Sequence, residues 1–226
     1  MPKRPSLPSL LAVAALLASV PHAASALEFS VHPNDSPTEN AIWAKGPIVT
    51  EDAFRFQAYL SRLPDKKITS LYLESHGGSL YGALALGRQV SKASVRTYVL
   101  GDKGFCNGVC TYVFMAGKDS ETGKAYRVKG SQSSLGFQNF ILTFEDKLYE
   151  QKDAQRAQAN AQKTSYDLAL YFDEIDADLE VLGYGLKQKD TYYLKNEEAL
   201  PLGIHIFDTS SNELVLADAF RRRLRR

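Results

Sequence analysis

Only two cysteines occur in the 226-residue sequence, and they stand four positions apart at Cys106 and Cys110. A zinc site built on them would need two further ligands, and His32, His76 and His205 show no ligand-like spacing, so neither a metal nor another cofactor is expected. Surplus charge is absent too: 27 Lys and Arg balance 26 Asp and Glu. That balance removes the basic excess of a nucleic-acid binder, and no nucleic-acid partner is expected. No apolar run reaches the ~20 residues that a membrane span requires. Internal repeats and low-complexity linkers are lacking as well, which leaves one α/β domain for the chain beyond its N-terminal segment.

That N-terminal segment is distinctive. Lys3 and Arg4 precede an apolar stretch over 10–20, and Ala24-Ser25-Ala26 follows. A basic start, a short apolar middle and small residues at the end form the pattern of a secretory signal peptide, expected over residues 1–26. Residues 27–226 are then the mature protein, periplasmic or secreted, with 25 basic against 26 acidic residues once Lys3 and Arg4 are removed. In an oxidising compartment Cys106 and Cys110 are expected to bond to each other, two buried free thiols being the alternative. At the other end Arg221, Arg222, Arg223, Arg225 and Arg226 make a basic tail. It reads as a solvated terminus, with anionic lipid or an acidic partner as the alternative.

Hydrophobic periodicity gives alternating strands and helices. Residues 68–73 read as a short apolar strand, Gly77-Gly78 as a turn, and 79–91 as a helix with Leu80, Ala83, Leu84, Leu86 and Val90 at helical spacing. The unit repeats: a β-branched and aromatic strand over 95–100, a polar loop over 101–108, and an apolar helix over 109–115. Residues 126–128 and 134–137 read as strands around a turn at 129–132. From 144 to 182 no proline or glycine interrupts an amphipathic pattern that includes Leu148, Ala154, Ala157, Ala161, Leu168, Phe172, Ile175 and Leu179, expected as one long or two shorter helices. A strand at 191–194 and a capped helix start at 196–200 follow.

On these residues the chain resembles the Clp protease and crotonase-like family. Glu74-Ser75-His76-Gly77-Gly78-Ser79 is similar to the family's strand-to-helix turn, where Ser-Pro-Gly-Gly is typical and the second glycine supplies an oxyanion-hole amide. Cys106-Asn107-Gly108-Val109-Cys110 looks like the Cys-x-Ser-x-Cys nucleophile run of exported relatives. Leu135-Gly136-Phe137-Gln138 looks like their Leu-Gly-Phe-His base segment, and Tyr193-Leu194 through Gly203-Ile204 resembles the closing segment. The resemblance spans most of residues 68–207 and implies a repeated ββα superhelix in one domain. It assigns oxyanion donors to Gly78 and Val109, and the orienting acid to Asp190, or to Thr191 by a one-residue offset.

The two reacting positions depart from the family. Gly108 carries no side chain with which to attack, and the Gln138 amide accepts no proton near neutral pH. Ser75, Ser79 and Thr111 offer hydroxyls nearby, and His76 is the one histidine close in sequence. A serine beside a glycine turn is more often a helix N-cap, and a turn histidine more often a partly exposed surface residue. The leading expectation is a noncatalytic protein that binds peptide or another protein through a degenerate cleft bordered by His76, Gly77, Gly78 and Val109. A serine-type hydrolase with a relocated nucleophile is the alternative. Self-association into rings or trimers, as in the relatives, stays open. If the leader is removed as read, N-terminal sequencing of the exported protein begins Leu27-Glu28-Phe29; a start at Met1 overturns that reading.

Overall fold

The computed structural model describes residues 26–138, 151–187 and 190–217. Residues 1–25 of the expected leader, the Arg-rich tail and residues 144–150 of the long helical stretch lie outside the described residues. The architecture is mixed α/β, organised around a seven-stranded sheet in the order β1-β2-β3-β4-β6-β9-β10. Its middle is parallel: β2 (Glu39–Lys45), β3 (Ile68–Glu74), β4 (Arg96–Val99), β6 (Arg127–Gly130) and β9 (His205–Asp208). Antiparallel edges are added by β1 (Glu28–Val31) on β2 and β10 (Glu213–Val215) on β9. A three-stranded sheet comprises β5 (Phe105–Asn107), β7 (Ser134–Gln138) and β8 (Thr191–Tyr193).

Side-chain alternation gives the large sheet two distinct faces. Inward residues Ile42, Ala44, Leu71, Leu73, Val99 and Ile206 join Phe56 of α1 (Asp52–Leu60), Leu84, Leu86 and Val90 of α2 (Leu80–Lys92), and Val113 and Phe114 of α3 (Cys110–Met115) in one core. Each such aliphatic or aromatic side chain contributes roughly 1.5–3 kcal/mol on burial. The opposite face carries an aromatic row. His32 stacks on Tyr72 at 3.8 Å between ring centroids, Tyr72 on Tyr98 at 4.8 Å, and the row runs on through Tyr126 to His205. Trp43 meets His32 edge-on, and Lys45 Nζ sits 3.4 Å above the Trp43 ring.

The long helix α4 (Gln151–Glu174) docks only by its C-terminal third, where Leu168, Tyr171 and Phe172 are buried. Tyr171 Oη donates to Tyr112 O at 2.7 Å. Gly87 of α2 makes the notch for that ring, since a β-carbon there would fall 1.8 Å from Tyr171 Oη. Beyond Glu174 the chain turns through Asp176 at φ +52° and resumes as α5 (Glu180–Tyr184). The buried Arg127 guanidinium explains the break: Nη2 donates to Ile175 O and Asp176 O at 3.4 and 3.3 Å, taking up carbonyls at the helix terminus.

Several expectations shift accordingly. The amphipathic face does not run the length of the stretch, for Ala154 and Ala161 are exposed and Leu179 is 52% exposed. The loop expected over 101–108 contains β5, paired in parallel with β7. The turn expected at 129–132 moves to 131–133, because Lys129 and Gly130 pair with Ile206 and Phe207 as the end of β6. The helix read at 79–91 is present as α2, with Ser79 as its N-cap accepting from Gly82 N at 3.1 Å. Strands β1 and β2 and helix α1 fall in a stretch for which the pattern gave no assignment. The capped start at 196–200 is α6 (Asn196–Ala199), closed by a capping box in which Glu198 accepts from the Lys195 backbone.

Lys129 is buried on β6 and donates to Gly130 O at 3.0 Å and Asn196 Oδ1 at 2.7 Å. Burial pushes its ammonium down to about 8. Below that pH the cost of burying the charge is fully present. As pH rises from there toward the unfolded value, the unfolded chain holds more protons and folding gains stability. Between about pH 7 and pH 9.5 this group is expected to add roughly 2 kcal/mol, read as a rise in the urea midpoint. Lys129→Met should abolish that rise; an undiminished rise in the variant would assign it to other groups.

Candidate functional site

Two backbone turns meet at the end of the large sheet. The first follows β3, where Gly77 (φ +99°) and Gly78 (φ +145°) reverse the chain into α2. Side chains rarely adopt these angles, and Gly78 has no room for one: a β-carbon would lie 2.2 Å from Ile48 O. Ile48 N donates to Gly77 O at 2.9 Å and Ser79 N donates to Ile48 O at 2.8 Å, so the turn is pinned from the side. Buried Ser75 pins it from below, its Oγ accepting from Gly77 N at 3.1 Å.

The second turn joins β5 to α3. Ser75 N donates to Phe105 O and Asn107 N donates to Ser75 O, which brings β5 beside the first turn. The Cys106–Cys110 disulfide closes the Asn107-Gly108-Val109 loop with a Cα–Cα distance of 5.3 Å. Gly108 adopts φ +57°, donates its N–H to Gly136 O at 2.8 Å, and accepts at its own carbonyl from Thr111 Oγ1 at 2.7 Å. The amides of Gly78 and Val109 have no hydrogen-bond acceptor among the described residues. Both residues border the same cavity.

Gln138 closes the third side from the end of β7. A β-carbon on Gly108 would lie 2.7 Å from Gln138 Oε1, so these two residues face each other directly. Gln138 Nε2 donates to Thr191 Oγ1 at 2.7 Å. Thr191 is thus the partner of the Gln138 side chain; Asp190 is exposed and makes no hydrogen bond to Gln138. Antiparallel pairing of Gln138 with Thr191 sets this register.

Each alternative hydroxyl is occupied by a structural role. Ser79 caps α2, Ser75 holds the glycine turn, and Thr111 bonds back to Gly108 O. The His76 ring stacks on Phe105 at 4.1 Å between centroids, with Nδ1 3.4 Å from Asn107 Nδ2. It bonds to none of those hydroxyls. Among the described residues the site offers two backbone donors and a carboxamide acceptor, and His76 is hydrogen-bonded to no hydroxyl there.

The cavity above these groups measures about 670 Å³. Its far wall is built by α4 and α5, which supply Asn160, Thr164, Leu168, Leu182 and Leu186; Leu80 and Tyr112 line the near side. Sequence periodicity pointed to Leu168 as an inward residue. Asn160 and Thr164 share Leu168's face of α4 at four-residue spacing, but as polar residues they carried no such signal, and Ile48 lies before the first assigned strand. No group of three His, Cys, Asp or Glu stands close enough to hold a metal among the described residues, and none of their helices is long and apolar enough to cross a membrane. No protein-family model and no curated protein matches the chain.

Gly78→Ala should cost at least about 2 kcal/mol, because strained backbone and a collision with Ile48 O act together. Gly123→Ala is the comparison: φ is +66° there and a β-carbon would meet open space. It should lose only about 1 kcal/mol. Equal losses in chemical denaturation would show that the Ile48 contact does not dictate glycine at 78.

Proposed function

We propose that this chain is a noncatalytic member of the exported Clp protease and crotonase-like group, acting in the periplasm or outside the cell by binding peptide or protein in its degenerate cleft. The carrying observation is the direct facing of Gly108 and Gln138, the latter bonded to Thr191. By the resemblance, the positions that a serine hydrolase fills with nucleophile, base and orienting acid correspond here to a glycine with no side chain, a carboxamide that takes up no proton and a threonine that carries no negative charge. Retention of the amide pair and of a roomy, largely apolar cavity supports binding in place of hydrolysis. The order of the motifs supports the family reading, and so does the pairing of β5 with β7 beside the turn after β3. A disulfide at Cys106–Cys110 favours an oxidising compartment.

Fluorophosphonate labelling tests this. The purified protein should remain unlabelled, whereas Gly108→Ser combined with Gln138→His should acquire label at position 108, where serine and imidazole come within reach of each other. Label on the unmodified protein at a mapped Ser or Thr overturns the noncatalytic reading. An unlabelled, folded double variant removes the case for a hydrolase framework.

A further inference from the structure

The outer face of the large sheet carries an unanswered charge at the starting ends of its parallel strands. Strand alternation places Glu39, Ala41 and Trp43 of β2, Ser70 and Tyr72 of β3, and Arg96 and Tyr98 of β4 on this face. Glu39 Oε1 and Ser70 Oγ are both buried there without a hydrogen-bond partner among the described residues. Parallel register sets Glu39 opposite Ile68, two residues before Ser70, so the two side chains are diagonal neighbours about 8 Å apart at Cα. Buried polar atoms are nearly always paired, and an unpaired carboxylate oxygen is among the costliest to leave so.

The cations nearby are already engaged. Lys66 Nζ lies 2.8 Å from Asp35 Oδ2 and donates to the Glu39 backbone carbonyl, and Lys67 Nζ lies 2.6 Å from Glu121 Oε1. Arg96 stands opposite Ser70 but turns its guanidinium to Asp119, with Nε 2.7 Å from Oδ1, and over the Tyr126 ring. Three acid–base pairs are thus made at this end of the sheet, and the Glu39 carboxylate is in none of them. A water molecule satisfies a hydroxyl such as Ser70 but leaves the charge unpaired.

The rings decide which cation fits. Tyr72 has one face on His32 and the other on Tyr98, so it offers its hydroxyl and not a π surface. Tyr72 Oη accepts from Asn34 Nδ2 at 3.3 Å and keeps a second lone pair. Burial raises the phenols of Tyr72 and Tyr98, and the Glu39 carboxylate raises them further, which keeps both hydroxyls neutral and sets them near that charge. Oxygen acceptors call for N–H donors: a quaternary ammonium leaves them unpaired, whereas a compact primary ammonium brings three donors on one charge. We propose that this patch binds a primary ammonium group through Glu39 and Ser70, with the Tyr72 and Tyr98 hydroxyls around it. It is a second site, at the opposite ends of the strands from the cleft and independent of it.

The test follows amide chemical shifts of the ¹⁵N-labelled protein with n-butylammonium and, at equal concentration, tetramethylammonium. Butylammonium should shift the backbone amides around Glu39 and Ser70 and bind about fivefold more tightly than tetramethylammonium, as the loss of charge-assisted hydrogen bonds implies. Glu39→Gln, which keeps the size of the side chain, should weaken butylammonium about tenfold, and Ser70→Ala about threefold, with each spectrum reporting that the fold is kept. A diaminobutane and Nα-acetyllysine N-methylamide separate the two sources of such a group, since the tighter of them assigns it to a free amine or to a lysine side chain of another protein. No shift at these residues, equal affinity for tetramethylammonium, or unweakened binding by Glu39→Gln overturns the proposal.

Discussion

Backbone packed against backbone at Gly78 and Ile48 is the constraint from which the site follows. Parallel strands β2 and β3 deliver their C-terminal ends side by side, and the connection leaving β2 passes so near the turn leaving β3 that only glycine fits. Reciprocal hydrogen bonds between Ile48 and the Gly77-to-Ser79 backbone fix the turn. Ser79 is thereby set to cap α2, and the Gly78 amide is left without an acceptor among the described residues. The same end of β3 receives β5 through Ser75, so the disulfide-closed loop is positioned by the first turn as well. Ligands of open parallel sheets commonly lie beyond the carboxyl ends of the strands, and this cleft obeys that geometry.

Much of this could be read from the sequence where local signals were strong. Gly77-Gly78 announced a turn, Ser79 a cap, and the apolar spacing through Val90 a helix; each is decided by residues close along the chain. β5 was missed because three residues with a cysteine and an asparagine carry little periodicity, and its strand character comes from pairing with β7 some thirty positions on. The break after Glu174 was also invisible. Asp176 tolerates a left-handed backbone, but the determinant is Arg127, distant in sequence and buried under the helix end. Thr191 and Asp190 could not be separated without the β7–β8 register, which alone decides which side chain lies opposite Gln138.

The facing of Gly108 and Gln138 was not legible from either residue alone. Gly108 taken singly offers no side chain, and Gln138 taken singly offers only a carboxamide. Gln138 bonds to Thr191 and turns Oε1 toward the space over Gly108, so the three residues meet as one neutral set. Function is decided by such a site and not by the sheet that carries it. The row of aromatic rings on the opposite face of the large sheet shares none of this chemistry, although it contains the chain's one tryptophan, Trp43.

Helix α4 brings a mechanical relation to the cleft. It is anchored near Tyr171, in the notch of Gly87, while its N-terminal turns are largely exposed. At about 1.5 Å per residue, Gln151 lies roughly 30 Å from that pivot and Asn160 roughly 16 Å. A tilt of about 5° about the pivot moves Gln151 by nearly 3 Å and the cavity wall at Asn160 by about half as much. The wall of the cleft thus rides partway along an arm whose described outer turns stand in solvent.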